Sequence, residues 1–341
     1  MLSLVVYNEM EEIYVDDTIV IDGLTSYQRA PADLGYIRRA QKAGVSAMHA
    51  SLVGDDLPDL YETLQRISSW LSAFKTRAEV FTSVLKADDI VSAKEQKKMG
   101  IIMGLQSTKP LTNDVWLLDI LYELGIRIVQ LTYQRRCWVG SGCSEETDEG
   151  LSRFGREVVK RLNQLGIVID ASHCGDKTCW DAIEYSAKPI AFTHTGPRTL
   201  CNVARNKTDA LIRRLAERNG VMGFAVYSNF LSRGAESTVD DFIDTIDYVV
   251  QMVGIDYVGL GLDYTPDLTP EYWARWTAAN PDLGRDVVFG TDSQHPEALR
   301  DIDRFLPQLT LQLSRRGYDA GSIKKLLGLN FLRLYREVWG E

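Results

Sequence analysis

Histidine is scarce in this 341-residue chain, with four copies, and the cysteines are five, an odd number. Cys137, Cys143, Cys174, Cys179 and Cys201 contain no zinc-ribbon spacing. They read as free thiols in a reducing compartment, not as a disulfide scaffold. No stripe of Lys or Arg is present, and 38 basic against 47 acidic residues leave a net charge of −9. Without clustered positive charge to neutralise phosphates, nucleic acid is not an expected partner. No apolar stretch approaches the roughly 18 residues that a membrane span needs. Met1–Glu12 has a short apolar run without a basic flank, so no signal peptide and no membrane association are expected, and the expected location is cytoplasmic. No Gly-x-Gly-x-x-Gly follows the first strand-like run, which weighs against a dinucleotide fold. Internal repeats and low-complexity linkers are also missing.

What is present is an alternation. Eight short apolar runs, rich in Val and Ile, lie at Thr18–Asp22, Val45–Ala50, Ile101–Leu105, Arg127–Leu131, Ile167–Ala171, Ile190–Thr193, Val221–Val226 and Tyr257–Leu262. Several are apolar without alternating, as in strands buried on both faces. Amphipathic stretches separate them: Leu151–Leu165, Thr208–Arg218, Val239–Val253 and Leu299–Arg315 carry apolar residues at helical spacing. Eight β-then-α units predict a (β/α)8 TIM-type barrel in one domain over 1–341. A doubly wound open sheet is the alternative that the same alternation allows. Two long connections, Arg135–Gly150 and a loop insertion at about 264–296, follow strand C-terminal ends, where barrel active sites sit. The second holds Tyr272, Trp273 and Trp276, which fit either an aromatic lid or packing on the rim.

Three of the runs end in metal-competent side chains: Asp170-Ala-Ser-His173-Cys-Gly, Phe192-Thr-His194-Thr-Gly and Gly259-Leu-Gly-Leu-Asp263-Tyr. Neighbouring parallel strands lie roughly 4.8 Å apart. Imidazoles at adjacent strand ends can therefore share one ion, at about 2.0–2.1 Å from each nitrogen. Asp263 then serves as a third ligand or as the base for an attacking water. A lone strand-end histidine is more often a hydrogen-bonded core residue, but three such residues at one end of three strands favour a site. Arg205 offers a planar fork for a carboxylate; its plainer role is a structural salt bridge.

The chain resembles the membrane (renal) dipeptidase family of the metal-dependent amidohydrolases. The resemblance runs from about Ile19 to Trp339. It rests on Leu121-Tyr-Glu-Leu-Gly-Ile-Arg, Gly150-Leu-Ser-Arg-Phe-Gly, Leu162-Asn-Gln-Leu-Gly-Ile-Val-Ile-Asp-Ala-Ser-His, Phe192-Thr-His-Thr-Gly, Cys201-Asn-Val-Ala-Arg-Asn, Gly259-Leu-Gly-Leu-Asp and Leu327-Gly-Leu-Asn-Phe-Leu-Arg. It implies metal ligation by His173 and His194, a substrate-carboxylate contact by Arg205, work at the catalytic water by Asp263, and an active-site role for Tyr227.

The chain also departs from the family pattern. Where that pattern has Asp-Gly-His-x-Asp at the first strand, Leu24, Thr25 and Ser26 follow Asp22-Gly23. The metal-bridging Glu falls on Gln106, and a further active-site His falls on Tyr133. Two ions without compensating carboxylates are costly in a partly buried site, so the expectation is at most one divalent ion, zinc or none. His49, on the second run, is either a replacement ligand or a core residue. The expected function is a dipeptidase-like amidohydrolase cleaving an amide in a small carboxylate-bearing substrate, with Gln106, Tyr133, Tyr227 and Arg205 around that substrate. The alternatives are a lyase, isomerase or decarboxylase on a small acid with one metal or none, and a non-catalytic binding barrel. A homodimer is left open.

Overall fold

The computed structural model describes residues 18–54, 58–279 and 294–340. The N-terminal run and residues 280–293 of the long loop lie outside them. The strands, in chain order, are β1 (Ile21–Ser26), β2 (Ala47–Val53), β3 (Phe81–Ser83), β4 (Met99–Leu105), β5 (Ile126–Gln130), β6 (Val168–Asp170), β7 (Ala191–Thr195), β8 (Val221–Phe224) and β9 (Val258–Leu260). β1 pairs with β2 and β9, β2 pairs with β4, and β4 through β9 pair in sequence, every pairing parallel. Eight strands thus close on themselves, and helices run between them, which is the (β/α)8 barrel. β3 stands outside this ring and pairs with the first residues of β4. All eight ring strands are buried along their length, which explains their apolar runs.

The helices follow from local chemistry. Arg153–Leu165 starts where the Ser152 hydroxyl accepts the Gly155 N–H, buries Val158, Val159 and Leu162, and stops at Gly166 with φ 73°. Val239–Val253 begins in a capping box of Thr238 and Asp241.

The lower end of the barrel is plugged. In the C-terminal helix Asn330–Trp339, Phe331, Leu334, Tyr335 and Val338 pack with Ile21, Ala47, Val168, Ala191 and Val221, the first residues of their strands. A Cβ on Gly259 would lie 2.6 Å from the Phe331 ring, so this strand accepts only glycine beneath the plug. With the bottom filled, the C-terminal strand ends carry the site.

The first strand differs from its sequence reading. It begins at Ile21 and continues through Leu24, Thr25 and Ser26, with a register break between Asp22 and Thr25. Gly23 sits in that break; a Cβ there would meet the carbonyl oxygens of Thr193 and Leu260 at 2.8 and 2.9 Å. The expected end of the strand at Asp22 is corrected accordingly.

Candidate active site

The mouth gathers side chains from five strand ends. His194 lies within β7, and His173 lies three residues past β6. Their Nε2 atoms face each other at 2.9 Å, and the Gln106 amide nitrogen, just past β4, is 3.1 Å from His194 Nε2. The network behind His194 assigns its proton. Asp170 accepts from Thr193 Oγ1 at 2.8 Å, from Ser172 Oγ at 2.5 Å, and from the backbone N–H groups of Ser172 and Thr193. The Thr193 hydroxyl has given its hydrogen to Asp170, so it accepts from His194 Nδ1 at 2.8 Å. His194 Nε2 is therefore the unprotonated nitrogen, a lone pair aimed into the mouth where His173 Nε2 and the Gln106 amide nitrogen face it, the state a metal-binding imidazole needs. Burial pushes both imidazoles well below the ordinary histidine value, and Arg205 pushes them further. Both are neutral. The Tyr133 ring stacks on His173 with centroids 4.2 Å apart.

Asp263 lies three residues past β9 with φ 60°, an uncommon backbone for a residue with a side chain. Its N–H donates to Leu24 O at 2.9 Å and its carbonyl accepts from His295 Nε2 at 3.1 Å. Burial raises its carboxyl to about 8, with Arg205 opposing and Asp22 and Asp170 adding to the rise. Beside it, a cleft of about 310 Å³ is lined by Tyr27, Tyr36, Tyr264, Asp267 and His295, among others.

The strand-one side is built differently. Leu24 is fully buried. Asp22 accepts from Thr25 Oγ1 at 2.5 Å and from the Leu262 and Leu24 N–H groups at 2.8 and 3.2 Å, so its carboxylate ties β1 to β9. Burial raises it to about 7, against these hydrogen bonds. His49 is a core residue: its Nδ1 meets Gly23 O at 2.9 Å and its Nε2 has no partner. Gly104 makes room for that ring, since a Cβ there would fall 2.1 Å from His49 Nε2. Among the described residues, no group of three or more His, Cys, Asp or Glu side chains is arranged to hold a metal, and His49 does not complete one.

Arg205 is 1% exposed. Its Nη1 donates to Ser172 O and its Nη2 to His194 O, both at 2.6 Å, and the guanidinium lies 5.0 Å from the Phe230 ring centroid. The sequence motivated a substrate contact; the structure puts the fork on the backbone of the two histidine loops. Tyr227 is buried between Phe230 and His295, with ring centroids at 5.4 and 5.0 Å. Trp276, on the helix Pro270–Ala279, belongs to the same cluster as Tyr227 and Phe230, which favours rim packing over a free lid. The Trp273 side chain lies outside the described residues. Sequence reasoning missed His295, Lys207 and the Asp170–Thr193 relay; scarcity of histidine was the one signal that pointed to His295.

Comparison with known proteins identifies the lineage. The sequence profile of the membrane dipeptidase family, peptidase family M19, matches residues 30–275. The chain belongs to this family. A dipeptidase of Claviceps purpurea, tcpJ, is 27% identical over 295 residues, 86% of this chain; the chain spans 62% of that relative's length. The crystal structure of an amidohydrolase from Pseudomonas aeruginosa is similar over 96% of this chain and 98% of the other, with 32% identity and a TM-score of 0.88. A metallopeptidase from Rhodobacter sphaeroides, liganded with a phosphinate mimic of the dipeptide L-Ala-D-Ala, has a TM-score of 0.79 at 20% identity, with 95% and 100% of the two chains covered. At that identity the likeness is one of fold. The family is one of metallopeptidases, so membership brings with it the expectation of a metal cofactor. Among the described residues, no helix of this dipeptidase-family chain is long and apolar enough to cross a membrane, and all five cysteines are free.

Proposed function

We propose that the chain is a dipeptidase-like amidohydrolase that cleaves an amide bond in a small carboxylate-bearing substrate, with at most one divalent ion, zinc, on His173 and His194. The observation that carries this reading is the convergence of the two Nε2 atoms at 2.9 Å, with the His194 tautomer fixed from behind. That donor set fits one ion held by two nitrogens. It does not fit two ions, because Leu24, Ser26 and Gln106 stand where further ligands would be needed. As oriented, Gln106 turns its amide nitrogen to His194 while its oxygen accepts from Ser51 Oγ at 2.8 Å.

A divalent ion there supplies Lewis acidity to a substrate carbonyl. The protein does the rest. Neutral His173 and His194, stiffened by Tyr133 and by the Asp170 relay, hold the site open on one side. Asp263 exchanges the proton: a carboxyl raised to about 8 is matched to taking a proton from water and handing it to a leaving amine near neutral pH. A nearby cation would draw that value down. The five free thiols support a reducing, cytoplasmic setting.

A second reading is a lyase, isomerase or decarboxylase on a small acid. It is favoured by the lack of a third ligating group among the described residues and by Arg205 and Lys207, two buried cations whose fields reach both imidazoles. Metal analysis and a panel of dipeptides and N-acyl amino acids separate the two. We expect one zinc or fewer per chain and slow, zinc-dependent cleavage. Two ions retained against chelator, or ordinary dipeptides turned over at about 10 s⁻¹ or faster, would overturn the one-ion reading. No cleavage of any amide by zinc-loaded protein would favour the second.

A further inference from the structure

Arg205-Asn206-Lys207 follows β7, and all three side chains are buried. The segment's backbone is tied to the end of that strand: Lys207 N–H donates to Gly196 O at 2.9 Å, Arg198 N–H to Lys207 O at 2.8 Å, and Thr195 Oγ1 to Arg205 O at 3.1 Å. From this anchored base the side chains reach the neighbouring loop. Arg205 donates to Ser172 O and to His194 O. Lys207 Nζ donates to Cys174 O at 2.9 Å, with Cys179 Sγ at 3.4 Å and the Phe192 ring at 5.3 Å. The carbonyls on both sides of His173, those of Ser172 and Cys174, are thus each held by a cation from one segment, and the carbonyl of His194 itself by the same arginine.

Lys207 makes no ion pair with a carboxylate among the described residues. A buried ammonium without such a partner is expensive, and a methionine would fill a similar volume at lower cost. What the ammonium adds is a grip on Cys174 O. We propose that Arg205 and Lys207 are positioning residues that set the separation and facing of the His173 and His194 rings. This goes beyond the hydrolase reading and does not require an ion.

The test uses full-length protein labelled with ¹⁵N-histidine. Imidazole nitrogen shifts are compared in the wild type, Lys207→Met, which removes the donors, and Lys207→Gln, which keeps a neutral one. Zinc titration is the second readout. Lys207→Met is expected to move the His173 ring resonances and weaken zinc binding by roughly 10–100-fold, the usual effect of losing an outer support; Lys207→Gln recovers most of both. A lysine that only stabilises the fold would lower Tm and leave the imidazole spectrum unchanged, and that result overturns the proposal. Should Lys207→Met not fold, the spectrum of Arg205→Lys decides, since a lysine there cannot grip Ser172 O and His194 O together: wild-type ring resonances in that variant overturn the proposal. A wild type that binds no zinc sinks the ion assignment alone, since the resonances still report the ring geometry.

Discussion

The two sides of the barrel mouth solve the same packing problem in opposite ways. Around β6 and β7, polar side chains point inward and each is supported: Asp170 carries Thr193, Thr193 carries His194, and Arg205 and Lys207 hold the loops. Around β1 and β2, Leu24 fills space, Asp22 spends its carboxylate on backbone N–H groups and Thr25, and His49 lies against Gly104. One side keeps lone pairs available for a ligand, and the other has become core. A binuclear site would need both sides to stay polar. The contrast explains how a chain can belong to a metallopeptidase family and still present, among the described residues, two converging imidazole nitrogens without a larger ligand group.

The sharpest way to break the comparison is to remove the retained side. His194→Ala deletes one of the two donors and leaves the fold standing on its core. Zinc binding should then become undetectable, with far-UV circular dichroism unchanged. Asp170→Asn should act in the same direction but less strongly, since it disturbs the tautomer and not the ligand. Zinc held as tightly by His194→Ala as by the wild type would return that histidine to a structural role.

On the other side the prediction concerns stability. Gly104→Ala puts a methyl 2.1 Å from His49 Nε2 and 2.9 Å from Ile128 O. Overpacking of this kind costs about 3 kcal/mol. Urea denaturation should show that loss, and His49→Ala combined with Gly104→Ala should recover part of it. Zinc affinity should barely change, because His49 is not part of the site.

How much of this was legible depends on distance along the chain. All eight ring strands correspond to apolar runs, and Val239–Val253 matches its helix residue for residue. β3 escaped notice because two of its three residues, Thr82 and Ser83, are polar and half-buried, whereas the equally short β6 and β9 lie inside longer apolar runs. The placement of His173, His194 and Asp263 at the mouth was legible because each stands near the C-terminal end of an apolar run. The Asp170–Thr193 relay and the Lys207 grip join residues 23 and 33 positions apart, and no local pattern encodes such bonds. Arg205 was visible as a candidate substrate contact or salt-bridge residue, but the partners it has here are backbone carbonyls, which sequence does not reveal.

Acid–base linkage offers a subtler probe of the two sides. Asp22 and Asp263 are raised to about 7 and about 8, so between the unfolded carboxylate value and those values the folded state holds the extra protons. Their contribution is complete at low pH and is lost as pH rises. His49 and His295 are lowered to about 4, so the unfolded state holds their protons between about 4 and the ordinary histidine value, and stability rises with pH there. His173 and His194 are lowered too, so the two trends oppose each other until the unfolded histidines have lost their protons, somewhat above their ordinary value, and beyond that the carboxyls dominate. In chelator, unfolding free energy should therefore fall from pH 6.5 to 8, on the order of 1 kcal/mol. Asp22→Asn should flatten part of that fall. A rise over this range would show that neither carboxyl is protonated in the fold.

The smallest expected effect belongs to Gln106, which lies between the two sides. Its amide nitrogen faces His194 Nε2 at 3.1 Å, and its oxygen rests on Ser51. Gln106→Glu replaces a donor with an anion at nearly the same volume and puts a carboxylate beside the two imidazoles. A full charge in place of a dipole attracts a cation more strongly, but the carboxylate must first be desolvated and it gives up the bond to His194. The net gain should be modest, about tenfold in zinc affinity, or 1.4 kcal/mol. Stoichiometry should stay at one, because Leu24 and Ser26 still stand in place of ligands on the strand-one side. If the variant instead retains two ions per chain, the strand-one side is more plastic than its packing implies, and the contrast between the two halves of the mouth rests on residue 106 alone.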